Sequence, residues 1–68
     1  MTKLKNGATL IDKINSSLDK SLSIVTARTS RNYVTWVMDE KGDCYWCHYF
    51  RLNEAGKSAA IQDMFDRR

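Results

Sequence analysis

Residues 32–52 read NYVTWVMDEKGDCYWCHYFRL, and the fold that we expect from the sequence is built around this stretch. It contains both Trp, all three Tyr, both Cys and the single His of the chain. Its apolar residues alternate with polar ones on either side of a turn-forming centre, which is typical of a β-hairpin. We therefore predict one antiparallel pair of strands here.

The centre of this hairpin, residues 39–43, has the composition of a three-residue loop. Asp39 suits the first position of a type I turn, and Gly42 suits the bulged position that needs a positive φ. With Asp39 opposite Asp43, the predicted cross-strand pairs are Met38–Cys44, Val37–Tyr45, Trp36–Trp46, Thr35–Cys47, Val34–His48 and Tyr33–Tyr49. This register places the two indoles and Phe50 on one face of the sheet and the three phenols on the other.

The segments that flank the hairpin predict two helices and one further strand. An amphipathic N-terminal helix is indicated by apolar residues at helical spacing: Leu4, Ala8, Ile11, Ile14 and Leu18. Residues 22–29, LSIVTART, alternate and are rich in β-branched side chains, which favours a strand. Asn53 is a good N-cap for a second helix that runs to about Asp66.

The predicted fold class is α+β, in a single small domain over residues 1–68. The expected order is helix, strand, strand, strand, helix. The three strands form an antiparallel meander, and both helices cover the Trp face of the sheet in a two-layer arrangement. A chain of 68 residues lies near the lower limit for folding without a metal, a disulfide or a partner.

This order of elements resembles that of a double-stranded RNA-binding domain, over the whole chain. That family carries a lysine-rich motif at the start of its second helix and a Gly-Pro-x-His segment between its first two strands. The corresponding stretches here are residues 53–58, NEAGKS, and residues 29–32, TSRN. They keep one lysine and one arginine, so the resemblance is one of topology.

Composition and charge favour a cytoplasmic protein with no membrane partner. Hydrophobic residues make up 43% of the chain and the mean hydropathy is −0.51. No apolar run approaches the roughly 20 residues that cross a bilayer, and no secretion signal is visible. The net charge is +3, and residues 1–31 carry most of the excess of basic over acidic side chains, which favours acidic partners.

The sharpest local pattern is Cys44-Tyr45-Trp46-Cys47-His48. Cys-x-x-Cys-His is the spacing of covalent haem attachment, and Cys-x-x-Cys alone suits zinc or redox chemistry. In a regular strand Cys44 and Cys47 point to opposite faces, so they share a metal or a disulfide only where the strand bulges. We expect two half-buried thiols and no cofactor, with a metal or haem site at Cys44, Cys47 and His48 as a remote alternative.

The sequence predicts a protein that is not an enzyme. No Ser lies in a nucleophile-elbow pattern or in a glycine-rich loop. His48, on a strand with apolar neighbours, is expected to be packed and hydrogen-bonded rather than catalytic. The size and the lack of catalytic motifs are typical of accessory or inhibitory proteins of bacteria and their phages.

Two binding functions are predicted from the side chains. The leading hypothesis is a small interaction module that binds a protein partner or its own copy, because Tyr and Arg are enriched at interaction hot spots. Its expected site is the phenol face: Tyr33, Thr35, Tyr45, Tyr49, Arg51 and Arg31. The alternative is nucleic-acid binding through exposed aromatic rings and a set of basic residues: Arg28, Arg31, Arg51, Lys3 and Lys5.

Overall fold

The computed structural model describes residues 3–4 and 6–68, with Trp46 described by its backbone alone. Four strands follow one another across one antiparallel sheet: β1, Thr9–Asn15; β2, Ser23–Arg28; β3, Asn32–Met38; and β4, Cys44–Arg51. One helix, α1, Glu54–Arg67, packs on this sheet. The α+β class, the antiparallel sheet, the strand predicted over residues 22–29 and the C-terminal helix are confirmed.

Residues 9–15 form β1, so the predicted N-terminal helix is wrong. The pairing of β1 with β2 shifts between Leu10 and Asp12, which makes Ile11 the extra residue of a β-bulge. A bulge changes which face the following residues occupy. Ile11 and Ile14 therefore both lie on the α1 side of the sheet although they are three residues apart. A spacing of three is also what one side of a helix gives, which explains the wrong prediction.

The observed order, four strands followed by one helix, differs from the order that resembles a double-stranded RNA-binding domain. Leu18, predicted on the apolar stripe of the first helix, lies in the loop after β1 and is exposed. The helical structure of the described ranges lacks the length and the apolar character that a membrane span requires.

The turn of the β3–β4 hairpin has the predicted geometry. Gly42 has a φ of +89°, which favours glycine. The Asp39 N–H donates to the carbonyl of Asp43 at 2.9 Å, and the Gly42 N–H donates to the carbonyl of Asp39 at 3.1 Å. The Asp39 carboxylate also accepts from the backbone N–H groups of Lys41 and Asp43, each at 2.9 Å. The three-residue loop is therefore confirmed.

A second bulge, at Tyr45, makes the predicted hairpin register wrong beyond its first pair. Met38 pairs with Cys44 as predicted, and the other pairs are shifted by one residue: Val37–Trp46, Trp36–Cys47, Thr35–His48, Val34–Tyr49 and Tyr33–Phe50. Because side chains alternate between faces, one extra residue moves the side chains of β4 from Cys47 onward to the opposite face from the one predicted. Cys44 and Cys47 therefore lie on the same face.

The helix covers the face of the sheet opposite Trp36. The Thr35 hydroxyl donates to the carbonyl of Ala60 at 3.1 Å, and the Thr26 hydroxyl lies 3.4 Å from the same oxygen and 3.3 Å from the sulfur of Met64. Since Trp36 follows Thr35 along β3, its side chain points away from α1. The prediction that helices cover the Trp face is wrong for Trp36. For Trp46 the side chain lies outside the described part of the chain.

Trp36 belongs to a separate buried cluster on the other face of the sheet: Ala8, Val25, Ala27, Val34, Trp36 and Met38. Leu4 and Ala8, from the segment before β1, pack into it, and so do the half-buried Cys44 and Cys47. The sheet therefore has buried side chains on both faces. One face is covered by α1, and the other is partly covered by the segment that precedes β1.

The start of α1 lies very close to the end of β4. Asn53 has an extended backbone and its side chain accepts from the Gly56 N–H at 2.7 Å, so the predicted N-cap is confirmed. Gly56, Ala60 and Met64 form the buried stripe of the helix. A Cβ atom at position 56 would lie 1.8 Å from the carbonyl oxygen of Arg51, so this site has no room for a side chain.

Replacement of Gly56 by Ala tests this close approach. In an ordinary helix interior the change stabilises a protein by roughly 0.5–1 kcal/mol. Here we expect the free energy of unfolding to fall by about 1–3 kcal/mol, because the new methyl group would overlap the Arg51 carbonyl. Urea unfolding followed by Trp fluorescence measures the change.

The matched control is Ser58→Ala, at an exposed position of the same helix. It should leave stability unchanged or raise it by a few tenths of a kcal/mol, since Ala is the better helix former. A Gly56→Ala variant as stable as the wild type would contradict the packing of α1 against the end of β4.

Candidate functional site

The structure does not bring the predicted phenol face together on one surface. Thr35 is fully buried beneath α1. Tyr33 lies on the same face of the sheet as Thr35 and is half-buried, whereas Tyr49 pairs with Val34 on the opposite face and is 63% exposed. The bulge at Tyr45 separates these residues. Partner binding by these residues stays a prediction. Each surface that could bind a partner contains fewer of them than the single phenol face that the sequence suggested.

Tyr45 is exposed and its hydroxyl donates to the carboxylate of Asp39, across the hairpin turn. This hydrogen bond is the main reason that the pKa of Asp39 is lowered, and it also raises the pKa of Tyr45. Tyr49 lies on the same face as Cys47, and hydrogen bonding with the Cys47 side chain raises the pKa of Tyr49. The two exposed phenols therefore have different neighbours.

Replacement of Tyr45 by Phe should raise the pKa of Asp39 toward that of an unperturbed aspartate. The folded pKa of Asp39 lies below its unfolded value, so the stabilisation from this bond is complete above the unfolded pKa. It is lost as the pH falls through the folded pKa. Carboxyl titration by NMR measures the shift, and Tyr49→Phe is the matched control that should leave Asp39 unchanged. An unaltered Asp39 in the Tyr45→Phe variant would contradict the contact.

The residues of the metal or haem alternative are divided between the two faces of the sheet. Cys44 and Cys47 are free, half-buried thiols beside Trp36, and burial raises the pKa of Cys44. His48 lies on the α1 face, where its Nδ1 is 3.2 Å from a carboxylate oxygen of Asp63. Its ring also packs against Phe50. Across the described residues, no three or more His, Cys, Asp or Glu side chains form a group that could hold a metal ion.

The basic residues of the second hypothesis, in contrast, meet at one end of the sheet. One row of paired residues crosses all four strands there: Thr9, Arg28, Tyr33 and Phe50. Arg31 lies in the turn between β2 and β3, and Lys3 forms an isolated antiparallel β-bridge with Thr9. We call this region the basic end, and it contains Lys3, Arg28, Arg31, Arg51 and Lys57. Lys5, also predicted, lies outside the described residues.

Local backbone structure places two of these cations, Arg31 and Arg51, at the basic end. In the β2–β3 turn the Thr29 hydroxyl oxygen accepts from the N–H groups of Arg31 and Asn32, each at 3.1 Å. Arg31 is therefore exposed at the tip of a hydrogen-bonded turn. Arg51 ends β4 opposite Asn32, and its exposed side chain lies on the Trp36 face of the sheet.

Charge is separated between the two ends of the sheet. The stretches that meet at the basic end, residues 3–4, 6–9, 28–33 and 50–57, contain one acidic residue, Glu54. The stretches at the opposite end, residues 16–22, 39–43 and 62–68, contain six acidic and four basic residues. Within the described part of the chain, the five cations of the basic end form no ion pair with a carboxylate.

Two adjoining grooves open at the basic end, and Arg28 lies between them. The first has a volume of about 190 Å³ and we call it the Tyr33 groove; it is lined by Thr9, Ile11, Arg28, Tyr33 and Lys57. The second has a volume of about 250 Å³ and is lined by Lys3, Gly7, Thr9, Arg28, Thr29 and Ser30. Neither lining contains a carboxylate, so both grooves suit an anionic ligand.

Lys57 was not among the predicted site residues. It lies in the first turn of α1, and its N–H donates to the carbonyl of Asn53 at 2.9 Å. The predicted N-cap at Asn53 already placed Lys57 near the end of β4, which is the signal that could have found it.

Comparison of the chain with protein families, curated proteins and solved structures finds no match.

Proposed function

We propose that this protein binds nucleic acid, with the basic end in contact with the phosphate backbone. The observation that carries this proposal is the gathering of five cations from separate parts of the chain at one end of the sheet. Three of them, Lys3, Arg28 and Lys57, line two grooves whose linings contain no carboxylate. The proposal keeps the expectation of a non-enzymatic protein that acts in the cytoplasm.

Phosphate binding follows from the electrostatics of this region. An exposed Lys or Arg that neutralises a phosphate releases condensed counterions, which drives association. The N-terminal end of α1 lies among the same residues and adds partial positive charge from its backbone N–H groups. Glu54 is the one carboxylate that opposes this potential from the local sequence.

Salt dependence tests the proposal, with a fluorescently labelled oligonucleotide in a titration between 50 and 200 mM salt. If all five cations contact phosphates, the logarithm of the association constant should fall against the logarithm of salt concentration with a slope of about −3.5 to −4.5. The double variant Arg28→Gln, Arg51→Gln should weaken binding and reduce the magnitude of this slope by about 1.4–1.8.

The matched control removes the same charge from the opposite end, through Lys20→Gln and Lys41→Gln, at two exposed lysines. It should leave the slope unchanged. Equal effects of the two double variants would mean that net charge alone drives the association, and a wild-type protein that binds no oligonucleotide would refute the proposal.

A second candidate function is binding to a protein partner or to a second copy of the chain, and the exposed Tyr49 favours it. Tyr49 stands on the Trp36 face of the sheet, beside the half-buried Cys47. Sedimentation of the wild type and of Tyr49→Ala tests self-association. A concentration-dependent dimer that the substitution abolishes would support this candidate, and identical monomers would count against self-association.

A further inference from the structure

We propose that the Tyr33 groove holds one unpaired base of a single-stranded nucleic acid, stacked on the Tyr33 ring, while Arg28 and Lys57 bind the flanking phosphates. This inference rests on the proposed function and specifies its ligand. It follows from the way the groove combines an aromatic ring, an aliphatic side chain and two cations.

The placement of these side chains follows from the fold. Tyr33 and Arg28 are paired neighbours on β3 and β2, and adjacent strands lie about 4.8 Å apart. Lys57 approaches the same groove from α1, and Ile11 lines it from the bulge of β1. A flat apolar ligand against Tyr33 and Ile11 would therefore have a positive charge on two sides.

The size and chemistry of the groove fit a single base. Its volume, about 190 Å³, is below the roughly 300–1,000 Å³ of pockets that enclose drug-sized molecules. Every base has an apolar face that stacks on an aromatic ring, and such stacking tolerates any sequence. In a duplex these faces are already covered by neighbouring base pairs, so entry into the groove would require unstacking. The groove therefore favours a single strand.

Other parts of the molecule are less suited to the same ligand. The groove beside Trp36 is lined by uncharged residues, Asn6, Gly7, Ala8, Thr29 and Ser30, and Trp36 itself is buried. Tyr49 is exposed, but it stands on the face of the sheet opposite Tyr33. The lining of the Tyr33 groove contains no carboxylate, and Asp12, which follows Ile11 on β1, is not part of it.

The first test compares a labelled 12-nucleotide single strand of mixed sequence with the duplex of the same sequence, at one salt concentration. The full chain should bind the single strand at least about fivefold more tightly, which is the lower end of the gain from one stacked base. Tyr33→Leu keeps the apolar bulk and removes the aromatic ring, and it should weaken single-strand binding roughly 5- to 150-fold, the range for loss of one stacked base. It should leave the salt slope and duplex binding unchanged.

Tyr49→Leu is the matched control, because it makes the same change on the opposite face, and it should bind the single strand as the wild type does. Circular dichroism checks that each variant is folded. Equal affinity for the duplex and the single strand would overturn this inference and leave the proposed function intact. A chain that binds neither would refute both.

The second test uses the wild-type protein, so it does not depend on the folding of a variant. A single strand that carries 5-iodouridine is irradiated in the complex, and the cross-linked peptide is identified by mass spectrometry. We expect the cross-link at Tyr33. A cross-link at Tyr49 or Trp36 in its place would overturn the assignment of the groove.

Discussion

Two threonine hydroxyls on neighbouring strands, those of Thr26 and Thr35, converge on the carbonyl oxygen of Ala60 and tie α1 to the middle of the sheet. Both side chains are fully buried, and a buried hydroxyl without a partner is costly. They reach a helix carbonyl only because Gly56 and Ala60 let the backbone of α1 approach the sheet. This approach sets where the first turn of α1 lies, and so brings its lysine beside the strand ends.

The parts of the fold that could be predicted from the sequence are those set by neighbouring residues. The hairpin loop follows from Asp39 and Gly42, and the start of α1 follows from Asn53. Two of the wrong predictions, the N-terminal helix and the hairpin register, come from bulges, at Ile11 and at Tyr45. A bulge breaks the alternation by which a strand is recognised, and its position depends on the partner strand, which the local sequence does not reveal.

Only part of the candidate site could be predicted from the sequence, because the rest depends on how the strands pair. Charge alone pointed to Lys3, Arg28, Arg31 and Arg51 as separate basic residues, and the antiparallel topology explains why they meet. Every second strand end lies at the same side of such a sheet, so residues about 20 positions apart in sequence become neighbours. The phenol face, by contrast, required a correct register, and one extra residue in β4 divided it between two faces.

The two ends of the sheet carry net charges of opposite sign, so the protein has an electric dipole along the strands. In the field of a polyanion such a dipole experiences a torque, which turns the cationic end forward before contact and repels the anionic end. Encounters with a polyanion would then begin with the cationic end forward, and the rate of association would rise above that of a uniformly charged body. The steering acts over about 10 Å at 0.1 M ionic strength, so the advantage is greatest in dilute salt.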